Sequence, residues 1–211
     1  YLWKRILTKV MLSRIIENYA QVIEEVDPET KKKSIKQIWP RFHQLDCVEK
    51  LLADVGENGV GKKYLIQHSA GSGKSNSIAW LAHQLIGLEK NGRPMVDSVF
   101  VVTDRRILDR QIRDTVKQFL QVKSTVTWAE NSKDLRDAIE EGKRIIVTTV
   151  EKFPYIVSEI GQGHRDNKFA IIIDEAHSGQ SGRNAANMNL AISGLALNDD
   201  MDNEDKINAI V

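Results

Sequence analysis

The sequence predicts an α/β protein, a doubly wound parallel sheet preceded by N-terminal helices. Three observations carry this. Five short apolar runs, Tyr64-Leu65-Ile66, Val99-Phe100-Val101-Val102, Val126 with Trp128, Ile145-Ile146-Val147 and Ala170-Ile171-Ile172-Ile173, are mostly rich in branched side chains without polar alternation, the pattern of strands covered on both faces. Amphipathic segments of helical length precede or separate them, at roughly 46–55, 74–90, 105–119, 132–141 and 151–160, and such alternation builds a parallel sheet with helices on both sides. The 211 residues are 41% hydrophobic and 28% charged, a globular mix that can bury a core and excludes wholesale disorder.

At the N-terminus Leu2, Ile6, Val10, Ile15, Tyr19, Val22 and Ile23 recur at three- to five-residue steps, predicting one or two amphipathic helices up to about Glu25. The stretch DPETKKKS (27–34) then reads as a loop, because a proline and small polar residues interrupt the pattern. Its Lys31, Lys32 and Lys33 are either a solvated turn or a nucleic-acid contact. A boundary here gives a helical linker segment over 1–34, a main domain over 35–194 and an acidic C-terminal segment over 195–211.

Charge names no partner for the whole chain: 30 Lys+Arg stand against 29 Asp+Glu. The last segment carries Asp199, Asp200, Asp202, Glu204 and Asp205 against Lys206 alone, so the excess elsewhere is mildly basic, compatible with nucleic acid without diagnosing it. The single cysteine, Cys47, forbids an intrachain disulfide and a multi-cysteine zinc site, and points to a reducing compartment. The longest clean apolar run, Phe169–Ile173, is far short of the ~18 residues that span a bilayer, and no secretory cleavage site follows the first residues. A soluble, cytoplasmic protein is expected. A first residue of Tyr1 rather than Met suggests a piece of something longer.

In doubly wound sheets ligands bind beyond the carboxyl ends of the strands. After Tyr64-Leu65-Ile66 comes His68-Ser69-Ala70-Gly71-Ser72-Gly73-Lys74-Ser75, followed at once by an amphipathic helix. Glycines let successive N–H groups converge on a phosphate, and the helix aims its positive end at the same point. In such a loop Lys74 reaches the β- and γ-phosphates and the Ser75 hydroxyl ligates Mg²⁺. The full loop pattern has glycine where this chain has His68. After Phe169–Ile173 come Asp174, Glu175, Ala176 and His177; Asp174 is placed to serve Mg²⁺, and Glu175 to polarise an attacking water.

These segments together resemble the first RecA-like motor domain of superfamily 2 helicases and translocases, and in particular the R (motor and endonuclease) subunit of type I restriction enzymes. The resemblance rests on RFHQ (41–44), QHSAGSGKS (67–75), VFVVTDRRILDRQ (99–111), IIVTTVEKF (145–153) and IIIDEAHSGQSG (171–182), and covers about residues 35–185. Within it His68 is usual, and Asp104-Arg105 with Asp109 and Gln111 are typical. It implies that Gln44 reads adenine, pairing its carboxamide with N6 and N7, so ATP is preferred over GTP. Arg41 either braces the nucleotide or forms a surface ion pair. His177 couples nucleotide state to neighbouring motor elements, or is a plain helix-start histidine. Thr103, Asp104, Arg105, Thr148, Thr149 and Lys152 match DNA-facing segments, whose hydroxyl, amide and cationic groups suit phosphate contacts that position without reading bases.

The resemblance implies ATP and Mg²⁺ as cofactors, and double-stranded DNA with methyltransferase and specificity subunits as partners, with no membrane. A second RecA-like domain, which would supply an arginine finger worth ~10³ to 10⁵ in rate, has no counterpart in the sequence, nor has a nuclease constellation. The chain is therefore expected to bind Mg²⁺-ATP and to turn it over slowly or not at all, as the ATP-binding half of a translocase whose parent is a type I site-specific deoxyribonuclease. The competing readings are another superfamily 2 helicase or remodeller motor, and a module in which ATP switches an interface without turnover.

Overall fold

The computed structural model describes residues 2–26, 30–103, 115, 126–129, 131–149 and 167–174. The chain divides into two compact units, Tyr1–Met95 with Asp114–Lys123 and Val96–Arg113 with Ser124–Val211.

In the first unit a π-type turn over Leu2–Ile6 leads into α1 (Lys9–Asn18), capped where the Thr8 hydroxyl accepts from the Met11 N–H at 3.3 Å. The helix expected to run to Glu25 stops here. Both Tyr19 and Ala20 donate their N–H to the Ile15 carbonyl, closing the last turn, and Gln21–Val26 is instead a strand, β1. It pairs antiparallel with β2 (Lys33–Ile38), in a register running from Gln21↔Ile38 to Val26↔Lys33. Val22, Ile23 and Val26 are β-branched and favour extended backbone. Lys33 and Ser34, expected in the loop, belong to β2.

Helix α2 (Phe42–Asn58) extends the expected 46–55 at both ends. It buries Leu45, Val48, Leu52 and Val55, a stripe at three- and four-residue spacing that packs on α3 (Lys74–Ile86). Helix α3 ends at Gly87 rather than near 90. A tight hairpin follows, β3 (Glu89–Lys90) against β4 (Arg93–Pro94), turning through Asn91 (φ 55°) and Gly92 (φ 70°), the left-handed pair that a two-residue connection requires. A buried knot joins the three helices. Tyr19 donates its hydroxyl to Glu49 at 2.8 Å, Arg14 pairs with Glu49 at 2.8 Å, and the Trp80 indole donates to the Tyr19 carbonyl at 2.9 Å.

The strand expected at Tyr64-Leu65-Ile66 is not formed: the segment is an exposed connector without regular secondary structure, with Leu65 89% exposed. Its start is tied down elsewhere. Lys62 pairs with Asp54 at 2.9 Å and the Tyr64 hydroxyl donates to the same carboxylate, anchoring it along α2, and no strand among the described residues pairs with it.

The second unit holds a four-stranded parallel sheet, where five strands were expected. It is built from β5 (Ser98–Thr103), β6 (Val126–Trp128), β7 (Ile145–Thr149) and β8 (Phe169–Ile173) in the order β6-β7-β5-β8. The central strands β5 and β7 are wholly buried and β8, at an edge, is half-buried. Helix α4 (Ser132–Glu140) opens with a capping box, the Asn131 side chain accepting from the Asp134 N–H at 2.9 Å and the Asp134 carboxylate from the Asn131 N–H at 3.3 Å. Its Leu135, Ala138 and Ile139 pack with Phe100, Val102 and Ile146 in one core cluster. The helices expected over 105–119 and 151–160 fall outside the described residues, apart from Thr115. No helix among the described residues is long and apolar enough to cross a membrane.

Candidate functional site

The loop between the exposed connector and α3 has the backbone of an anion cradle. Gly71 (φ 71°) and Gly73 (φ 83°) are both left-handed, a conformation that costs other residues about 1–2 kcal/mol. Gly73 is the N-cap of α3, so Lys74 and Ser75 are its first helical residues and the positive end of the helix dipole lies at the loop. Space is as restrictive as torsion: a Cβ on Gly73 would sit 2.5 Å from Gln44 Nε2. The Ser72 hydroxyl is buried and has no hydrogen-bond partner among the described residues. Two obligatory glycines, a helix start, a lysine and an orphaned hydroxyl fit a bound phosphate chain with its metal.

The start of α2 grips this loop from behind. Gln44, 2% exposed, is not the solvent-exposed helix start that its position alone suggests. Its Oε1 accepts from the Arg41 N–H at 2.8 Å, while Nε2 donates to the carbonyls of Gly73 (2.9 Å) and Ser72 (3.3 Å). Arg41 is exposed and reaches the Gly71 carbonyl at 3.5 Å through Nη1, a brace on the loop. His43 went unread in the sequence. Its Nε2 lies 3.0 Å from the Ser72 carbonyl, and its ring meets the His68 ring edge-on, centroids 5.1 Å apart at 86°. Burial, then the neighbouring His43 and Lys74, push the His68 imidazole below its ordinary pKa. Ser69 and Ala70 complete the loop, the Ser69 carbonyl accepting from the Ser72 N–H at 3.3 Å.

In the sheet, the parallel strands bring Thr103, Thr149 and Asp174 to one end. Thr103 registers with Thr149 and Val102 with Thr148, and Asp174 continues the ladder by donating its N–H to the Val102 carbonyl at 2.9 Å. Thr103 is fully buried and its hydroxyl donates to the Thr148 carbonyl at 3.5 Å. The hydroxyls of Thr148 and Thr149 are buried with no hydrogen-bond partner among the described residues. Asp104, Arg105, Lys152, Glu175 and His177 lie outside the described residues. Among the described residues no group of three or more His, Cys, Asp or Glu side chains could hold a metal ion by itself.

The model of the SWI2/SNF2 ATPase family matches residues 43–197. The HindI type I restriction enzyme endonuclease subunit of Haemophilus influenzae is 26% identical over 186 residues, 84% of this chain and 17% of that protein. The putative MjaIXP type I restriction enzyme endonuclease subunit of Methanocaldococcus jannaschii is 26% identical over 189 residues, 83% of this chain and 17% of its own length. The chain thus spans about a sixth of these curated relatives. Among solved structures, the UvsW helicase of bacteriophage T4 has a similar fold, with a TM-score of 0.54 at 17% identity, covering 97% of this chain and 65% of that one. The likeness to restriction-enzyme motor subunits read from the motifs therefore stands, and the chain belongs to the SWI2/SNF2 ATPase family, as a helicase-like ATPase domain.

Proposed function

We propose that this chain is the ATP-binding half of an ATP-dependent double-stranded DNA translocase, from the R subunit of a type I restriction enzyme. The observation that carries it is the cradle: two left-handed glycines before Lys74, one of them with Gln44 Nε2 2.5 Å from where a Cβ would sit. In this reading His68 through Ser75 wrap the phosphates, Lys74 neutralises the β- and γ-phosphates, and Ser75 with Asp174 holds Mg²⁺. The metal supplies charge neutralisation on the transferred phosphoryl group. Glu175 orients water, His177 relays nucleotide state, and Gln44 reads adenine by exchanging its present backbone partners for N6 and N7. Thr103, Asp104, Arg105, Thr148, Thr149 and Lys152 follow the DNA backbone.

Residues 1–34, helical in α1 and then running through β1 into the start of β2, serve as a linker segment, 35–194 as the motor domain and 195–211 as an acidic segment. A further motor domain completes hydrolysis, so this chain alone binds more ATP than it turns over. DNA cleavage and the methyltransferase and specificity partners belong to the whole protein. The family match over 43–197 favours one second reading, the motor of a remodeller outside restriction; binding to a methyltransferase–specificity assembly separates the two.

Calorimetric titration of Mg²⁺-ATP and Mg²⁺-GTP into the chain and its Lys74→Ala variant tests the site. The expected result is ATP-selective binding that the variant loses by about 10-fold or more, the scale of a charge-assisted contact. Equal heats from both proteins would remove the cradle and the motor reading with it.

A further inference from the structure

The grip of α2 on the loop has a consequence for His43. The Ser72 carbonyl accepts from two side chains, His43 Nε2 at 3.0 Å and Gln44 Nε2 at 3.3 Å. Since a carbonyl only accepts, Nε2 of His43 bears the proton. In a trans peptide the C=O and the following N–H point in opposite directions. Holding the Ser72 carbonyl toward α2 therefore turns the Gly73 N–H to the other face of the loop, the face where a phosphate would lie.

Gln44 cannot keep this hold while it reads a base. Both Nε2 hydrogens are spent on the Ser72 and Gly73 carbonyls, while Oε1, which accepts from the Arg41 N–H, keeps a second lone pair. Pairing with adenine takes one N–H for N7 and the oxygen for N6. The bond of 3.3 Å to Ser72 is the longer of the two donations and the first to give way. His43 is then the donor left on that carbonyl. Its ring packs edge-on with His68, a contact that restricts its rotation and helps preorganise the donor.

We propose that His43 is a positioning residue of the phosphate cradle: donating from Nε2 to the Ser72 carbonyl, it holds the Gly73 N–H toward the nucleotide phosphates while Gln44 is released to the base. The inference rests on the ATP-binding reading above. Its test uses three variants of the chain. His43→Phe keeps a ring against His68 and removes the donor, His43→Gln restores an N–H at about the same reach, and Lys74→Ala reports the cradle itself. The expected result is a 3- to 10-fold weaker Kd for Mg²⁺-ATP in His43→Phe, the worth of one hydrogen bond, with a nucleotide-free thermal midpoint lowered by about a few degrees at most and most of the affinity regained in His43→Gln. Imidazole ¹⁵N spectra, with His43 assigned by its disappearance in His43→Gln, should find the Nε2–H tautomer both without and with Mg²⁺-ATP, and this arm decides if His43→Phe does not fold. Wild-type affinity in His43→Phe, a His43→Gln as weak as His43→Phe, or an Nδ1–H tautomer would overturn the proposal while leaving ATP binding intact. A wild type whose binding does not depend on Lys74 would overturn the ATP reading and this inference together.

Discussion

At Gly73 torsion and space act on one residue, and they can be separated. Its φ of 83° charges any side chain about 1–2 kcal/mol of backbone strain. The Cβ of an alanine would also meet Gln44 Nε2 at 2.5 Å. The far end of a glutamine would ordinarily swing aside, but this one is bonded to the Ser72 and Gly73 carbonyls, so moving it forfeits hydrogen bonds worth about 1 kcal/mol each. Gly73→Ala should therefore destabilise the chain by roughly 2–4 kcal/mol, and by about 1 kcal/mol or more less in a Gln44→Ala background, where only the strain remains. Urea unfolding of the two single variants and the double variant measures this coupling. Strict additivity would mean that Gln44 does not press on the loop.

At the scale of elements, the contacts that hold the helices are those that the sequence conceals. Tyr19 lies outside α1, yet it is fully buried, and burial followed by the Glu49 charge raises its hydroxyl far above the ordinary tyrosine range. Tyr19→Phe would leave a buried carboxylate oxygen without its donor and should cost about 1.5–3 kcal/mol, read from the same urea curves; a loss under 0.5 kcal/mol would mean that Arg14 alone satisfies Glu49. Tyr64 is the other concealed anchor. Its hydrogen bond to Asp54, ahead of slight burial, pushes its pKa up to about 12, so this tie is fully present below pH 10 and is lost as pH rises through about 12. Asp54→Asn should return Tyr64 toward 10 in an absorbance titration, with Tyr64→Phe identifying the signal; a midpoint unmoved by Asp54→Asn would break the tie. Such anchors explain what could be read in advance. Strands β5, β7 and β8 announce themselves by unbroken apolar runs. The run at 64–66 is the same to the eye, but a strand also needs a neighbour, and its start is held by Asp54 instead. Strand β2 is exposed but for Ile38, so it leaves no periodicity to find. The cradle was legible because its glycines and lysine are adjacent in sequence; His43 was not, because its partner is 29 residues away.

At the scale of the whole molecule, charge sets what DNA binding can look like. A formal net charge of +1 gives little long-range attraction to a duplex, so affinity must come from local contacts. Those proposed at the strand ends are of two kinds. Thr148 and Thr149 offer neutral hydroxyls, buried and without a hydrogen-bond partner among the described residues, which must be uncovered to bond a phosphate oxygen and which displace no counterion. Arg105 and Lys152 carry charge, and each phosphate they neutralise releases counterions and adds about −0.9 to the slope of log affinity against log salt. The two kinds therefore separate in one measurement. Arg105→Ala or Lys152→Ala should weaken duplex binding and make the slope shallower by about 0.9. Thr149→Val, which keeps shape and removes the hydroxyl, should weaken binding by about 3- to 10-fold and leave the slope where it was. Fluorescence anisotropy of a labelled duplex from 50 to 200 mM salt, the range over which the electrostatic term changes most visibly, reads both quantities. A flat salt response in the unaltered chain would mean that these strand ends do not meet a phosphate backbone, and that nucleotide binding in this domain serves an interface with protein instead.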